Sequence, residues 1–309
     1  TDPSYFNQII NFTFPHIGVV GANFEDYESD KIYASGCIIN NPVSVASNFR
    51  SKMDFEKWLK LNKKVCVSNI DTRALTKRIR NLGACKALIH FPENAYFENM
   101  TNLKTKLMKF PSMKNQDLAS EISTSYIYKW FNQKKLRTFK IHKNFIAVID
   151  FGIKKNILNI LGSSKYDVVV FPYNFSVEEI IKMKPVGLFL SNGPGDPLAT
   201  FKKNKGNLCS IKNFNKPIFG ICLGHQILSL IYNAKTEKMH HGHRGANHPI
   251  KNVKTKKVEI TVQNHGFAVS KKSFPADLSI THTSLFDNTI AGIEVKNKPF
   301  FSVQYHPES

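Results

Sequence analysis

The chain has 309 residues, 42% of them hydrophobic, and carries 43 Lys and Arg against 23 Asp and Glu, a formal net charge of +20. That length is ample for two domains with separate cores, and that apolar share excludes an intrinsically disordered chain. No apolar run approaches a membrane span, and five cysteines without a C-x-x-C pair exclude a disulfide framework, so a reducing, cytoplasmic setting with no membrane partner is expected. The lysines are scattered among Asn, Ile and Phe, all residues of AT-rich codons, with no arginine-rich arm. The charge is therefore read as compositional, and no nucleic-acid partner is expected.

Residues 1 to about 130 read as short strand-like pieces with a few helical patterns. Ser4 lies in Asp2-Pro3-Ser4-Tyr5, a turn-prone stretch in which serine is ordinarily a turn residue. Asp71-Thr72, followed by Leu75, Ile79 and Leu82 and closed by Gly83, predicts a capped helix with one apolar stripe. Its Arg73, Lys77, Arg78 and Arg80 face is read as solvated. From about Phe131 to Asn144 the sequence turns polar and basic, which predicts an inter-domain connection.

From Phe145 strands and helices alternate. Phe145 to Ile149, Val168 to Phe171, Val186 to Leu190 and Pro217 to Ile221 are nearly all apolar, as in parallel strands covered on both faces. Ile153 to Leu161 has helical periodicity, and Ser176-Val177-Glu178-Glu179 is a capping box. After about Lys238 the rhythm is strand and turn, with Val258, Ile260 and Val262 alternating against Glu259, Thr261 and Gln263.

Chemistry concentrates in Gly220-Ile221-Cys222-Leu223-Gly224-His225-Gln226. A buried strand leads in and a helical pattern follows, so the chain should turn sharply at Cys222, with a glycine two residues to either side. Such an elbow presents the sulfur at the carboxyl end of a sheet and aims backbone N–H groups and the positive helix end at it, which favours thiolate. Taken alone, the pattern also suits a buried cysteine in a packing turn, and the two readings stand side by side. In Gln304-Tyr305-His306-Pro307-Glu308 an extended chain would put His306 and Glu308 on one face, where the carboxylate could hold the imidazole; a surface loop is the plainer alternative. Ser191-Asn192-Gly193-Pro194-Gly195-Asp196-Pro197 could bring backbone N–H groups close to a small ligand, or be an ordinary tight turn. Asn264-His265-Gly266-Phe267 reads most simply as a hairpin turn. His240, His241, His243 and His248 match no zinc spacing.

Together, the motifs at 191–197, 220–226 and 306–308 resemble the three signatures of class I, triad-type glutamine amidotransferases, and that match covers residues 145–309. Thr1-Asp2-Pro3-Ser4-Tyr5, Phe14-Pro15-His16-Ile17-Gly18, Ala46-Ser47-Asn48-Phe49-Arg50 and Ile70-Asp71-Thr72-Arg73-Ala74-Leu75-Thr76 are similar to the small-chain family of carbamoyl-phosphate synthetases. So are Gly242 to Pro249 and Asn264 to Phe267. The resemblance implies an α/β chain in two domains: a small-chain N-terminal domain of mixed β with helices over 1–143, and an amidotransferase domain with a central, mostly parallel sheet over 144–309. It implies Cys222 as nucleophile, His306 as general base and acid, and Glu308 as its orienter. The backbone N–H groups of Leu223 and Gly193 would form the oxyanion hole, and Gln226, Asn264, Gly266, Phe267, Gly195 and Ser4 would hold the glutamine. The implied substrate is L-glutamine and the implied partner is a large synthetase chain, separate or fused, making carbamoyl phosphate for arginine or pyrimidine synthesis. No cofactor or metal is expected in this chain, with ATP and Mg on the large chain. The family starts with further strands before the Thr1 equivalent and continues past Glu308 into a closing helix, so a chain shortened at both ends is expected. A regulatory, inactive relative would have lost the nucleophile or the base, and a glutaminase subunit of anthranilate synthase would lack the first domain.

Overall fold

The chain divides after Ser112 into two units, Thr1–Ser112 and Met113–Ser309, in a computed structural model that describes residues 1–92, 94–141 and 144–309. In the first unit β1 (Ile9–Asn11), β2 (Gly36–Ile38) and β3 (Val65–Val67) form a parallel three-stranded sheet, with α1 (Phe55–Leu61) between β2 and β3 in the chain. Next comes α2 (Thr72–Leu82), capped as expected. The Asp71 carboxylate accepts from the Ala74 N–H at 2.9 Å, and Gly83 closes the helix at φ 88° with its N–H on the Ile79 carbonyl. Arg73, Lys77, Arg78 and Arg80 are exposed, in keeping with a solvated face. A further helix, α3 (Met100–Lys109), closes the unit. At its start one 3₁₀ turn, Pro3–Tyr5, buries Ser4, whose N–H donates to the Asp2 carboxylate at 2.8 Å.

The second unit runs α4 (Ala119–Ile122), β4 (Tyr128–Phe131), β5 (Lys134–Leu136), β6 (Phe145–Asp150), α5 (Lys155–Gly162), β7 (Asp167–Pro172), α6 (Val177–Lys182), β8 (Gly187–Leu190), α7 (Pro197–Lys203), α8 (Lys205–Cys209), β9 (Ile218–Ile221) and α9 (Leu223–Ile231). Five strands follow: β10 (Thr236–Asn252), β11 (Val258–Val269), β12 (Leu278–Ser284), β13 (Ile290–Val295) and β14 (Phe300–Val303). All the strands join one eleven-stranded sheet, ordered β11-β10-β12-β13-β14-β9-β8-β6-β7-β4-β5. The expected α/β architecture is borne out, parallel at the centre from β14 to β7 and antiparallel on both flanks. The apolar central strands bury side chains on both faces. One core gathers Phe145, Phe171, Leu190 and Ile227, and the other Val148, Val170, Ile157 and Ile221. Each such side chain contributes about 1.5–3 kcal/mol through burial.

Three local expectations change. The polar stretch from Phe131 is not simply a connection: Asn132 and Gln133, at φ 47° and 59°, turn the chain into β5, and β4 pairs with β7. Tyr128 and Trp130 are buried against that strand, so residues 113–141 belong with the second unit and the units part 31 residues before the boundary expected after 143. Residues 142 and 143, beside that boundary, lie outside the described residues. Asn264-His265-Gly266-Phe267 is no hairpin turn. It sits within β11, where His265 pairs with His243 and Phe267 with Lys238, and the reversal between β10 and β11 falls near residues 253–257. The pairing shifts register between Lys238 and His243 of β10, a stretch that contains Gly242 at φ +74°. Finally, the alternation in β11 is real, but its apolar side faces out. Val258 and Ile260 are exposed, whereas Thr261, Gln263 and His265 are buried.

Candidate active site

The site is built at the carboxyl end of β9. Cys222 follows that strand at φ 54° and ψ −102°, a conformation strained for a residue with a Cβ, and its N–H donates to the Val303 carbonyl of β14 at 2.9 Å. The flanking glycines are dictated by contact. A Cβ on Gly224 would lie 2.1 Å from the Leu190 carbonyl oxygen, and one on Gly220 would lie 2.8 Å from Gly224 backbone atoms. Helix α9 is thereby pressed against the ends of β8 and β9, with its first residue, Leu223, beside the sulfur. A first-turn N–H such as that of Leu223 has no partner within its own helix. The buried thiol points at the Asn264 carbonyl of β11, 3.7 Å away.

His306 and Glu308 come to this sulfur by a bend. The chain leaves β14 at Val303, and the His306 N–H is caught by the Val262 carbonyl of β11 at 2.9 Å. The expected extended face is therefore replaced by a turn, yet the pairing survives: His306 Nδ1 lies 2.7 Å from Glu308 Oε1, with both side chains buried. A carboxylate oxygen only accepts, so Nδ1 carries the proton and Nε2 is the nitrogen left for Cys222. Burial by itself would lower the imidazole's proton affinity. The neighbouring Cys222 and then the Glu308 carboxylate outweigh it and push His306 up to about 10. The arrangement can hold a cationic imidazole between a sulfur and a carboxylate, the pairing that activates a nucleophilic cysteine.

The loop after β8 faces the elbow. A Cβ on Gly193 would lie 2.1 Å from the Phe151 carbonyl oxygen and 3.0 Å from Leu223 Cδ2. Gly195, at φ +98°, packs against the Gln116 carbonyl, and the Asp196 carboxylate fastens the segment by accepting from the Asn115 and Leu198 N–H groups at 2.8 and 2.9 Å. Gln226, one turn into α9, donates to the Phe267 carbonyl at 2.7 Å. The structure thus brings Gly193, Leu223, Gln226, Asn264 and Phe267 around the Cys222–His306–Glu308 line, and Gly266 beside Asn264. Ser4 belongs to the first unit.

The class-I glutamine amidotransferase family matches residues 147–309, and the CPSase domain of the carbamoyl-phosphate synthase small chain matches residues 1–89. Over its full length the chain is 47% identical to the carbamoyl phosphate synthase small chain of Bartonella bacilliformis, of which it covers 79%. Against the small chains of Zymomonas mobilis subsp. mobilis and Bradyrhizobium diazoefficiens the identities are 45% and 44%, with the whole chain again aligned and 84% and 80% of those proteins covered. The chain belongs to the carbamoyl phosphate synthase small-chain family. It is accordingly an enzyme subunit of the glutamine-hydrolysing kind, and a small chain implies a large-chain partner.

Lys154 and Asn156 escaped the sequence reading because they lie far along the chain from the Glu308 segment they serve. Lys154 Nζ is 3.0 Å from Glu308 Oε1, both side chains being nearly inaccessible, and it also donates to the Ser309 hydroxyl. Asn156 donates to the Glu308 carbonyl at 2.6 Å, and the Asn192 side-chain oxygen accepts from the Lys154 N–H at 3.1 Å. Arg244 donates to the Asn264 side-chain oxygen. His225, the histidine of the elbow motif, is fully buried; desolvation pushes it down to about 3, and its Nδ1 meets the Ser302 hydroxyl at 2.9 Å. It is a neutral packing group. Among the described residues no group of three or more His, Cys, Asp or Glu is arranged to hold a metal ion, and no helix is long and apolar enough to cross a membrane.

The His306–Glu308 pair also sets an acid limb. Burial raises Glu308, but His306 and then Lys154 outweigh it and hold the carboxyl near 2, below its ordinary 4.5. The folded chain keeps Glu308 ionised where the unfolded chain has taken up a proton. Its stabilisation is therefore present above about 4.5 and is lost as the pH falls towards about 2. In a melting-temperature series against pH, the gap between wild type and Glu308→Gln should be widest above pH 4.5 and close on acidification; a gap independent of pH would show that the carboxylate is not held this way.

Proposed function

We propose that this small chain hydrolyses L-glutamine at Cys222 and delivers the ammonia to its large chain. The observation that carries the reading is a buried imidazole held on a carboxylate beside the elbow cysteine, with Gly193 and Gly224 packed too closely to backbone for any side chain. The Cys222 thiolate adds to the side-chain amide carbon of glutamine, and the oxyanion is met by the N–H groups of Leu223 and Gly193. His306, protonated and oriented by Glu308, gives its proton to the departing nitrogen. The tetrahedral adduct collapses to a glutamyl thioester and ammonia. Water then loses a proton to His306, attacks the thioester and releases glutamate, restoring Cys222. Gln226, Asn264, Gly266, Phe267 and Gly195 hold the substrate. Carbamoyl phosphate is made from that ammonia, bicarbonate and ATP on the large chain, which would bind ATP and Mg for a cytoplasmic step of arginine or pyrimidine synthesis; a separate or a fused large chain serves equally.

A free glutaminase at full rate would waste glutamine. Glutamine hydrolysis by the full chain alone should therefore be slow and rise when a large chain is added, with acid quench leaving a glutamyl adduct on the Cys222 peptide. An adduct on another cysteine, or glutamate release without any adduct, would overturn the reading.

A further inference from the structure

One buried amide beside the site has an orientation that can be worked out and a hydrogen-bonding group that is left over. The Phe267 carbonyl can only accept, so the end of the Gln226 amide that faces it, 2.7 Å away, is the nitrogen. The second hydrogen of that NH₂ points at Gln304, 2.9 Å away, and only an oxygen can meet it. The Gln304 amide is thus fixed as well. Its own nitrogen is buried with no hydrogen-bond partner, and exchanging its oxygen and nitrogen would set two NH₂ groups against each other. Gln226 and Gln304 are both almost fully buried, so no bulk water relieves the arrangement. Such an unmet buried donor is costly, so the orientation that creates it is held by the contact on its other side, the Gln226 amide.

Gln304 is two residues before His306 on a chain whose backbone is pinned on both sides, Gln304 N–H to the Ala291 carbonyl at 3.0 Å and His306 N–H to Val262. It is therefore a rigid support. We infer that Gln304 is a positioning residue for the substrate: by taking the second hydrogen of the Gln226 amide it commits the Gln226 side-chain oxygen as the acceptor for an N–H group of bound glutamine. This rests on the glutaminase reading above. Without Gln304 the Gln226 amide keeps one anchor, Phe267, and loses the contact that prevents it from swinging. The pocket then binds glutamine less well while the thiolate chemistry at Cys222 is untouched.

The test compares full-length wild type, Gln304→Met and Gln304→Glu. Cys222 is alkylated with iodoacetamide, which reads only the thiolate, and with a chloroketone carrying the amino-acid head of glutamine, which also reads the pocket. For Gln304→Met the chloroketone should react about tenfold more slowly and KM for glutamine should rise by about the same factor, the scale of one lost neutral hydrogen bond. Iodoacetamide labelling and kcat should not change. Gln304→Glu should stay near wild type, because an oxygen faces Gln226 whether the carboxyl is protonated or not. Equal slowing of both reagents would mean that Gln304 merely supports the fold, and unchanged KM in both variants would remove the inference. Failure of the wild-type chain to hydrolyse glutamine or to react with the chloroketone at Cys222 would instead sink the functional reading itself.

Discussion

Cys222→Ala is expected to lower glutamine hydrolysis by a factor of at least ~10⁴, since removing the nucleophile of a triad costs about as much as removing the whole triad. The side chain is small and the elbow backbone is held by the Val303 carbonyl and by α9, so the alanine chain should fold and bind its large chain. Carbamoyl phosphate synthesis from added ammonium should then continue while synthesis from glutamine stops. Paired assays of the complex read both. Residual glutamine hydrolysis within about tenfold of wild type would deny Cys222 its role, because the oxyanion donors alone supply far less than that. A glutamine-shaped electrophile should likewise label Cys222 ahead of Cys37, Cys66, Cys85 and Cys209, all of them free thiols. None of those four stands at the start of a helix opposite a histidine–carboxylate pair.

Gly224→Ala should cost about a hundredfold in rate, less than the loss of the sulfur, for a reason of space. The added methyl would lie 2.1 Å from the oxygen and 2.6 Å from the carbon of the Leu190 carbonyl, and both are backbone atoms at the end of a central strand. No flexible side chain can give way, so α9 must move off β8 and carry Cys222, two residues earlier, with it. Overpacking of this kind costs about 1–3 kcal/mol. A displacement of even about 1 Å at the nucleophile costs roughly 10² in rate. A melting curve and a glutaminase assay on the same preparation give both numbers. Gly206→Ala is the control: a Cβ there meets nothing within 4 Å, and in α8 the change should be neutral or slightly stabilising. If both alanines behaved alike, the close packing of α9 on β8 would not be what shapes the elbow.

What the amino-acid sequence determined by itself is local or chemical. The turn at Cys222 was legible because a buried strand, two flanking glycines and an apolar helical pattern are written side by side, and α2 because its cap, stripe and terminal glycine are all within thirteen residues. Cys222, His306 and Glu308, which the structure brings together, were legible too, since each occurs in a short motif. The tertiary structure decided everything that depends on register and burial. Asn264 to Phe267 has turn composition, yet pairing with β10 holds it extended. The basic stretch after Phe131 looks like a linker, yet the burial of Tyr128 and Trp130 draws its hairpin into the sheet. His306 and Glu308 meet through a bend fixed by Val262 rather than through strand alternation. Lys154, far from Glu308 in the chain, becomes its counter-charge, and Gln304 fixes the amide of Gln226. Neighbours along the chain reveal propensity and caps, whereas a hydrogen bond between distant residues forms only once packing has removed water and aligned the strands, and no local pattern records that.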